Sequence, residues 1–100
     1  CQALTTADLI ISDLISTGAT FSWAAIPNAE AYQMAARKAG GSVKVFPETQ
    51  LTSRTFTNGI QPNTSYEWSV RVKCDGVWTD YALPPATFTM PAGKNNANIR

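Results

Sequence analysis

Residues 66–74 alternate apolar and polar side chains without a break, and this run constrains the fold more than any other part of the sequence. Its letters are YEWSVRVKC. Alternation with a period of two is typical of a β-strand that buries one face and exposes the other. The sequence therefore predicts a strand that ends at Cys74. The residues predicted to face inward are Tyr66, Trp68, Val70 and Val72.

Shorter runs of the same kind recur along the chain, separated by turn residues every ~8–12 positions. This rhythm predicts an all-β sandwich built from consecutive short strands. In one of these runs, Ala19, Phe21 and Trp23 share a face and are predicted to enter the core. The other predicted strands are centred on residues 9–14, 43–46, 53–57 and 86–90.

Residues 29–39 favour two different structures. Nearly all are good helix formers, with Asn28 placed as an N-cap and Gly40 as a stop. The same segment also alternates with a period of two. Because helix propensity is a weak preference that tertiary context often overrides, we predict a strand. Its faces are Tyr32, Met34 and Ala36 on one side and Gln33, Ala35 and Arg37 on the other.

Composition excludes several classes of function. One hundred residues suit one domain, and 44% hydrophobic with 15% charged residues favours a folded chain. A net charge of +1 with scattered Lys and Arg disfavours nucleic acid as a partner. No apolar run approaches the ~20 residues of a membrane span, so no membrane insertion is predicted.

Catalytic and metal chemistry find little support in the residue types present. The sequence holds no histidine and two cysteines, which excludes Ser-His-Asp and Cys-His catalysis and disfavours zinc. Asp75 and Asp80 flank Trp78, but a glycosidase pair needs a cleft and calcium needs more ligands. We predict no catalytic residue, no metal site and no cofactor.

One motif resembles that of a known family. Ile60-x-Pro62-x-Thr64-x-Tyr66-x-Trp68-x-Val70 is similar to the Leu-x-Pro-x-Thr-x-Tyr-x-Val-x-Val pattern of fibronectin type III domains. Thr20–Trp23 and Tyr32–Met34 resemble the second and third strands of that family. The resemblance covers residues 8–90 and implies a seven-stranded antiparallel fibronectin type III or immunoglobulin-like β-sandwich. Residues 1–7 are then an N-terminal lead-in, and residues 91–100 a C-terminal linker or tail.

The resemblance also gives Tyr66 a structural role. It implies a tyrosine corner, in which the Tyr66 hydroxyl bonds to backbone just upstream where the chain crosses between the sheets. Asn63-Thr64-Ser65 matches a glycosylation sequon, but its place in the corner favours a turn.

The cysteines depart from the usual pattern of the family and look like those of modules in secreted bacterial proteins. In the implied topology, the first strand begins and the sixth ends at the same pole, so Cys1 and Cys74 are expected to form a disulfide. Two alternatives stay open: free thiols, and a lipid attached to Cys1 as in bacterial lipoproteins.

Trp78 and Tyr81 are the candidate binding residues. Trp78 lies in a predicted loop where no burial pattern requires it, so it is a candidate for stacking on a sugar or anchoring a protein partner. The alternative interpretation is that its ring folds over the end of the sandwich and shields the core or the disulfide. Tyr81 begins the last strand, which makes a structural role more favoured there.

The resulting expectation is a non-catalytic module of a secreted or surface-attached bacterial protein. Its leading role is as a spacer or a unit that docks neighbouring domains of the parent chain. The alternative is a carbohydrate- or protein-binding adhesion module that uses the Trp78 loop, with an extracellular protein or polysaccharide as partner. No Arg-Gly-Asp tripeptide is present, and a monomer is expected.

Overall fold

The computed structural model describes residues 1–15, 18–57 and 60–91. A short 3₁₀ turn, Thr6–Asp8, precedes eight strands in this part of the chain. The strands are β1 (Leu9–Ile15), β2 (Gly18–Trp23), β3 (Ala31–Lys38), β4 (Lys44–Val45), β5 (Ser53–Phe56), β6 (Ser65–Cys74), β7 (Val77–Trp78) and β8 (Ala86–Thr89). No helix in the described ranges is long and apolar enough to cross a membrane.

Two antiparallel sheets form the molecule. One has three strands in the order β1-β2-β5. The other has five, with β4-β3-β6-β7 in order and β8 also paired to β6. The predicted all-β sandwich is therefore confirmed, with eight described strand segments where seven strands were expected.

The additional segment arises because the last edge strand is divided. β3 pairs along one side of β6, and both β7 and β8 pair on the other side. β7 meets Lys73 and Cys74, whereas β8 meets residues 65–68. Between them, Thr79 and Ala82 donate backbone hydrogen bonds to the carbonyls of Val72 and Val70, so the contact with β6 continues irregularly.

The core lies between the sheets and is made by the inward positions of the strands. Val70 and Val72 are fully buried, and Trp68 nearly so, as the alternation predicted. Phe21 contacts Trp68 edge-to-face, with ring centroids 5.0 Å apart. The predicted core face of β2 is confirmed, because Ala19, Phe21 and Trp23 are all buried.

The ambiguous segment 29–39 forms strand β3, as predicted. All eight residues of β3 pair with β6, from Ala31 opposite Lys73 to Lys38 opposite Tyr66. Tyr32 and Met34 are buried in the core. A helix would gain only a few tenths of a kcal/mol per residue from propensity. Burying these two side chains contributes roughly 1.5–3 kcal/mol each, so the strand is favoured.

The corner between β5 and β6 carries the chain from one sheet to the other. The Tyr66 hydroxyl accepts a hydrogen bond of 2.9 Å from the backbone N–H of Gln61. Asn63 adopts the left-handed conformation with φ of 54°, and the Thr64 hydroxyl donates to the carbonyl of Pro62. Backbone groups that the sharp turn removes from the sheets thus find partners locally.

The first residues pack against the sandwich. Cys1 is joined to Cys74 by a disulfide, with the two Cα atoms 5.6 Å apart. Leu4 is only 3% exposed and belongs to the core cluster. The segment predicted as a lead-in, residues 1–7, therefore contributes to the core. The predicted tail begins at Pro91, and its remaining residues, 92–100, lie outside the described ranges.

Candidate functional site

The solvent side of the five-stranded sheet carries the side chains that alternate with the core residues. We call this surface the outer face. β3 contributes Gln33, Ala35 and Arg37 to it, and β6 contributes Glu67, Ser69, Arg71 and Lys73. Two features of the outer face, an aromatic stack and a groove, are the candidates for function.

The aromatic stack is centred on Arg71. Its guanidinium carbon lies 4.7 Å from the Trp78 ring centroid and 5.1 Å from that of Tyr81. The ammonium of Lys73 lies 5.8 Å from the Trp78 ring. Cations at such distances are attracted to the ring electrons by about 0.5–1 kcal/mol at exposed sites. Arg71 also donates a hydrogen bond of 2.9 Å to Oε1 of Gln33, which fixes its guanidinium.

Trp78 and Tyr81 are therefore placed differently from the prediction. Tyr81 does not begin the last strand, because β8 starts at Ala86 and Tyr81 lies in the irregular stretch between β7 and β8. Trp78 also differs. It lies on strand β7 rather than in a loop, and its side chain is half-buried. Asp75 and Gly76, with φ of 52° and 79°, form a tight turn that brings β7 back along β6. Positive φ at both central residues matches the hairpin turn whose twist suits antiparallel strands. The ring consequently contacts Arg71 and Lys73 on the outer face.

Arg71 was not predicted as a partner of Trp78. The signal was present in the Asp-Gly pair after Cys74, which is a strong indicator of a two-residue hairpin turn. Such a turn pairs Lys73 with Trp78, as observed, and places Arg71 next along the same face of β6.

A groove runs across the outer face beside the stack. Its floor is formed by Ala35 and Ser69, which are only 8% and 7% exposed although both point away from the core. The Ser69 hydroxyl is satisfied by donating to the carbonyl of Ala82 at 2.7 Å. We call this feature the outer groove. Its volume is about 390 Å³.

The walls of the outer groove are apolar and open to solvent. Val45 on one side and Leu83 on the other are 53% and 75% exposed. Val43, Tyr81 and Pro85 extend the walls. At one end, Arg37 donates to Glu67 at 2.7 Å, and this cross-strand ion pair forms part of the lining. An apolar centre with a polar margin is the usual anatomy of a protein interface.

Acidic side chains are dispersed in the described ranges. No group of three or more His, Cys, Asp or Glu residues that could hold a metal ion occurs there. Asp75 is a turn residue, and the carboxylate of Glu30 accepts a hydrogen bond of 2.7 Å from the neighbouring Gly76 N–H. The structural role of these groups is to hold the turn before β7.

Solved structures with a similar fold are fibronectin type III domains. The sixth such domain of human fibronectin type III domain containing protein 3 has a TM-score of 0.79 at 13% identity, over 98% of this chain and 94% of that chain. The third such domain of human KIAA0343 protein has a TM-score of 0.69 at 17% identity, over 95% of this chain and 87% of that chain.

A third similar structure contains the FN1–FN3 domains of chicken CNTN1. Its TM-score is 0.71 at 18% identity, over 89% of this chain and 32% of that chain, so this chain spans about a third of it. No protein-family model matches the sequence, and no curated protein matches it. The sheet order, the corner at Tyr66 and these likenesses together show that the chain has the fibronectin type III fold.

Proposed function

We propose that this chain is a non-catalytic module that docks a protein surface in the outer groove, with neighbouring domains of its parent chain as the first partners. The observation that carries the proposal is the exposure of Val45 and Leu83 on opposite walls of one apolar groove. Large apolar side chains grouped around a concave surface mark interaction sites on soluble proteins.

Charge beside the groove indicates the chemistry of the partner. Tyr81 lines the groove and stacks on Arg71, so the cations Arg71 and Lys73 stand next to it. Within the described ranges neither cation forms an ion pair with a carboxylate. A partner with an apolar side chain for the groove and carboxylates near these two cations would be complementary in both shape and charge.

We propose further that the module works outside the cell, in a secreted or surface protein. The disulfide between Cys1 and Cys74 supports this, because such bonds persist in oxidising compartments and are rare in the cytosol. The bacterial origin rests on the resemblance of the cysteine placement to modules of secreted bacterial proteins.

Amide hydrogen exchange tests the docking role. The exchange of the isolated chain is compared with that of the same residues within the parent protein. We expect slower exchange in the parent at β4 and at residues 81–85, and loss of this protection in a Val45→Asp, Leu83→Asp variant. Ile10→Asp is the matched control, because Ile10 is exposed on the other sheet. If the exchange rates of these residues were the same in the isolated chain and in the parent protein, docking would be contradicted and only a spacer role would remain.

A second candidate function is polysaccharide binding through the aromatic stack. It is favoured by one observation, that Trp78 and Tyr81 both contact Arg71 and so lie together on the outer face. Paired aromatic rings offer a surface on which sugar rings can stack. A saturable change in tryptophan fluorescence on titration with a polysaccharide, absent in Trp78→Ala, would favour this function over protein docking.

A further inference from the structure

A second concave site lies between the two sheets, where the β3–β4 connection faces the end of β5. We call it the end cleft. Its volume is about 320 Å³, near the lower end of the range for small-molecule sites. Five aromatic rings, contributed by both sheets, form part of its walls. These rings are Phe21, Phe46, Phe56, Tyr66 and Phe88.

The rings hold one another in place and leave part of their surface open. Phe56 meets Phe46 edge-to-face at 5.3 Å and Phe21 at 5.5 Å. Phe21 is buried, whereas Phe46 and Phe56 are only partly buried. The end cleft is therefore an apolar cavity that is already shaped, with its inner end closed by Phe21 and its outer end formed by two rings that reach solvent.

The rim of the cleft is cationic. Arg37, Lys38 and Lys44 line it, and in the described ranges no acidic side chain does. Arg37 is neutralised by Glu67, but Lys38 and Lys44 form no ion pair within the described residues. The ammonium of Lys44 lies 5.4 Å from the centroid of the Phe46 ring, so positive charge stands directly beside the apolar wall.

We infer that the end cleft binds a small amphipathic anion, with an apolar tail between the aromatic rings and a carboxylate at Lys38 and Lys44. The tail buries the surface of Phe46 and Phe56 that is still exposed, which is favourable in proportion to the area removed from water. The carboxylate receives charge-assisted hydrogen bonds from the lysines, which are stronger than neutral ones. A ligand with the same tail and a neutral head group lacks the second contribution, and a cationic head group is repelled. The end cleft shares only Ala36 and Arg37 with the lining of the outer groove, and its aromatic walls and its two lysines belong to the cleft alone, so the inference does not depend on the docking role.

Three probes with the same ten-carbon tail test the inference: decanoate, decanol and decyltrimethylammonium. Each is titrated, below its micelle-forming concentration, into the isotopically labelled chain, and binding is followed by backbone amide chemical shifts in NMR. We expect decanoate to bind most tightly, with saturable shifts concentrated in residues 36–46 and around Phe56. The cationic probe is expected to cause no saturable shift there.

Charge reversal identifies the head-group site. Lys38→Glu with Lys44→Glu should weaken decanoate binding about tenfold or more, since two favourable contacts become repulsive. Lys73→Glu is the matched control, because Lys73 lies on the outer face, outside the end cleft. Amide spectra of the variants report that the fold is kept. Equal binding of decanoate and decyltrimethylammonium, decanoate binding unchanged by the double substitution, or no saturable shift with decanoate would each overturn the inference.

Discussion

Phe21 contacts aromatic side chains from both sheets. Its ring lies within 5.5 Å of the ring centroids of Phe56, Trp68 and Phe88, which belong to β5, β6 and β8. All three contacts are edge-to-face, the geometry that aromatic pairs prefer. One side chain on β2 therefore links its own sheet to the centre and to one edge of the opposite sheet.

Truncating this side chain should have a large effect on stability. We expect Phe21→Ala to lower the free energy of unfolding by about 3–5 kcal/mol, because it removes a buried ring and leaves a cavity. Urea denaturation followed by circular dichroism measures the change. Ile10→Ala is the control, and as Ile10 is 56% exposed on β1 it should cost less than about 1 kcal/mol. Similar losses in both variants would contradict the central role given to Phe21.

At the scale of elements, the corner before β6 decides where the longest strand begins. Tyr66 holds it through the hydroxyl that accepts from the Gln61 N–H. Met90, just after β8, donates its N–H to the carbonyl of Thr64, so the corner is also tied to the end of the last strand. The turn residues and the tyrosine thus fix the start of β6, and with it the register of its neighbours.

Removing the hydroxyl tests this role of Tyr66. Tyr66→Phe should lower the free energy of unfolding by about 1 kcal/mol, the usual net contribution of one hydrogen bond. Tyr81→Phe is the matched control, since the Tyr81 hydroxyl makes no hydrogen bond within the described residues. Chemical denaturation of both variants gives the comparison. An unchanged midpoint for Tyr66→Phe would show that Pro62 and Asn63 shape the corner without the hydroxyl.

Elements differ in how far the sequence predicts them. The alternation of apolar and polar residues is enough to predict β2 and β6, because in each strand the apolar side chains recur at every second position and so lie on one face. β3 was predicted against its helix propensity, and long-range pairing with β6 explains why that prediction holds. β7 was missed, since two residues give no period and its pairing depends on the turn at Asp75 and Gly76.

The candidate sites could be predicted only in part. Trp78 and Tyr81 stood out by residue type, but the partner that fixes them, Arg71, is one ordinary polar position of β6. The outer groove has no sequence signal, because its walls come from separate elements and its floor from small residues. Ala35 and Ser69 form the floor of a groove only because the fold places Val45 and Leu83 on either side of them.

At the scale of the whole molecule, the disulfide joins residues 73 positions apart and encloses most of the described sandwich. It links the segment before β1 to the end of β6, so it connects the N-terminal lead-in to the five-stranded sheet. The buried side chain of Leu4 also attaches this N-terminal segment to the sandwich, because it packs in the core.

Loss of the disulfide should destabilise the fold without changing it. For a loop of this length, the chain-entropy model gives a contribution of about 4 kcal/mol, so Cys1→Ser with Cys74→Ser should lower the melting temperature by roughly 15–30 °C. Scanning calorimetry measures the shift, with the native chain under reducing conditions as a second comparison. Intact mass before and after reduction reports the bond itself. Two free thiols after aerobic purification would contradict the pairing.

The divided edge of the five-stranded sheet affects how readily neighbouring copies of the module can pair their strands. An unbroken edge strand offers a row of free backbone groups with which another chain can pair, and natural proteins interrupt such edges. Here the edge beside β6 is split into β7 and β8, and the opposite edge, β4, is two residues long. Modules of this kind placed next to one another at high local concentration would therefore find few free backbone groups for strand exchange at the edges of the five-stranded sheet. The irregular stretch that shapes one wall of the outer groove is thus also the interruption that makes this edge a poor partner for another strand.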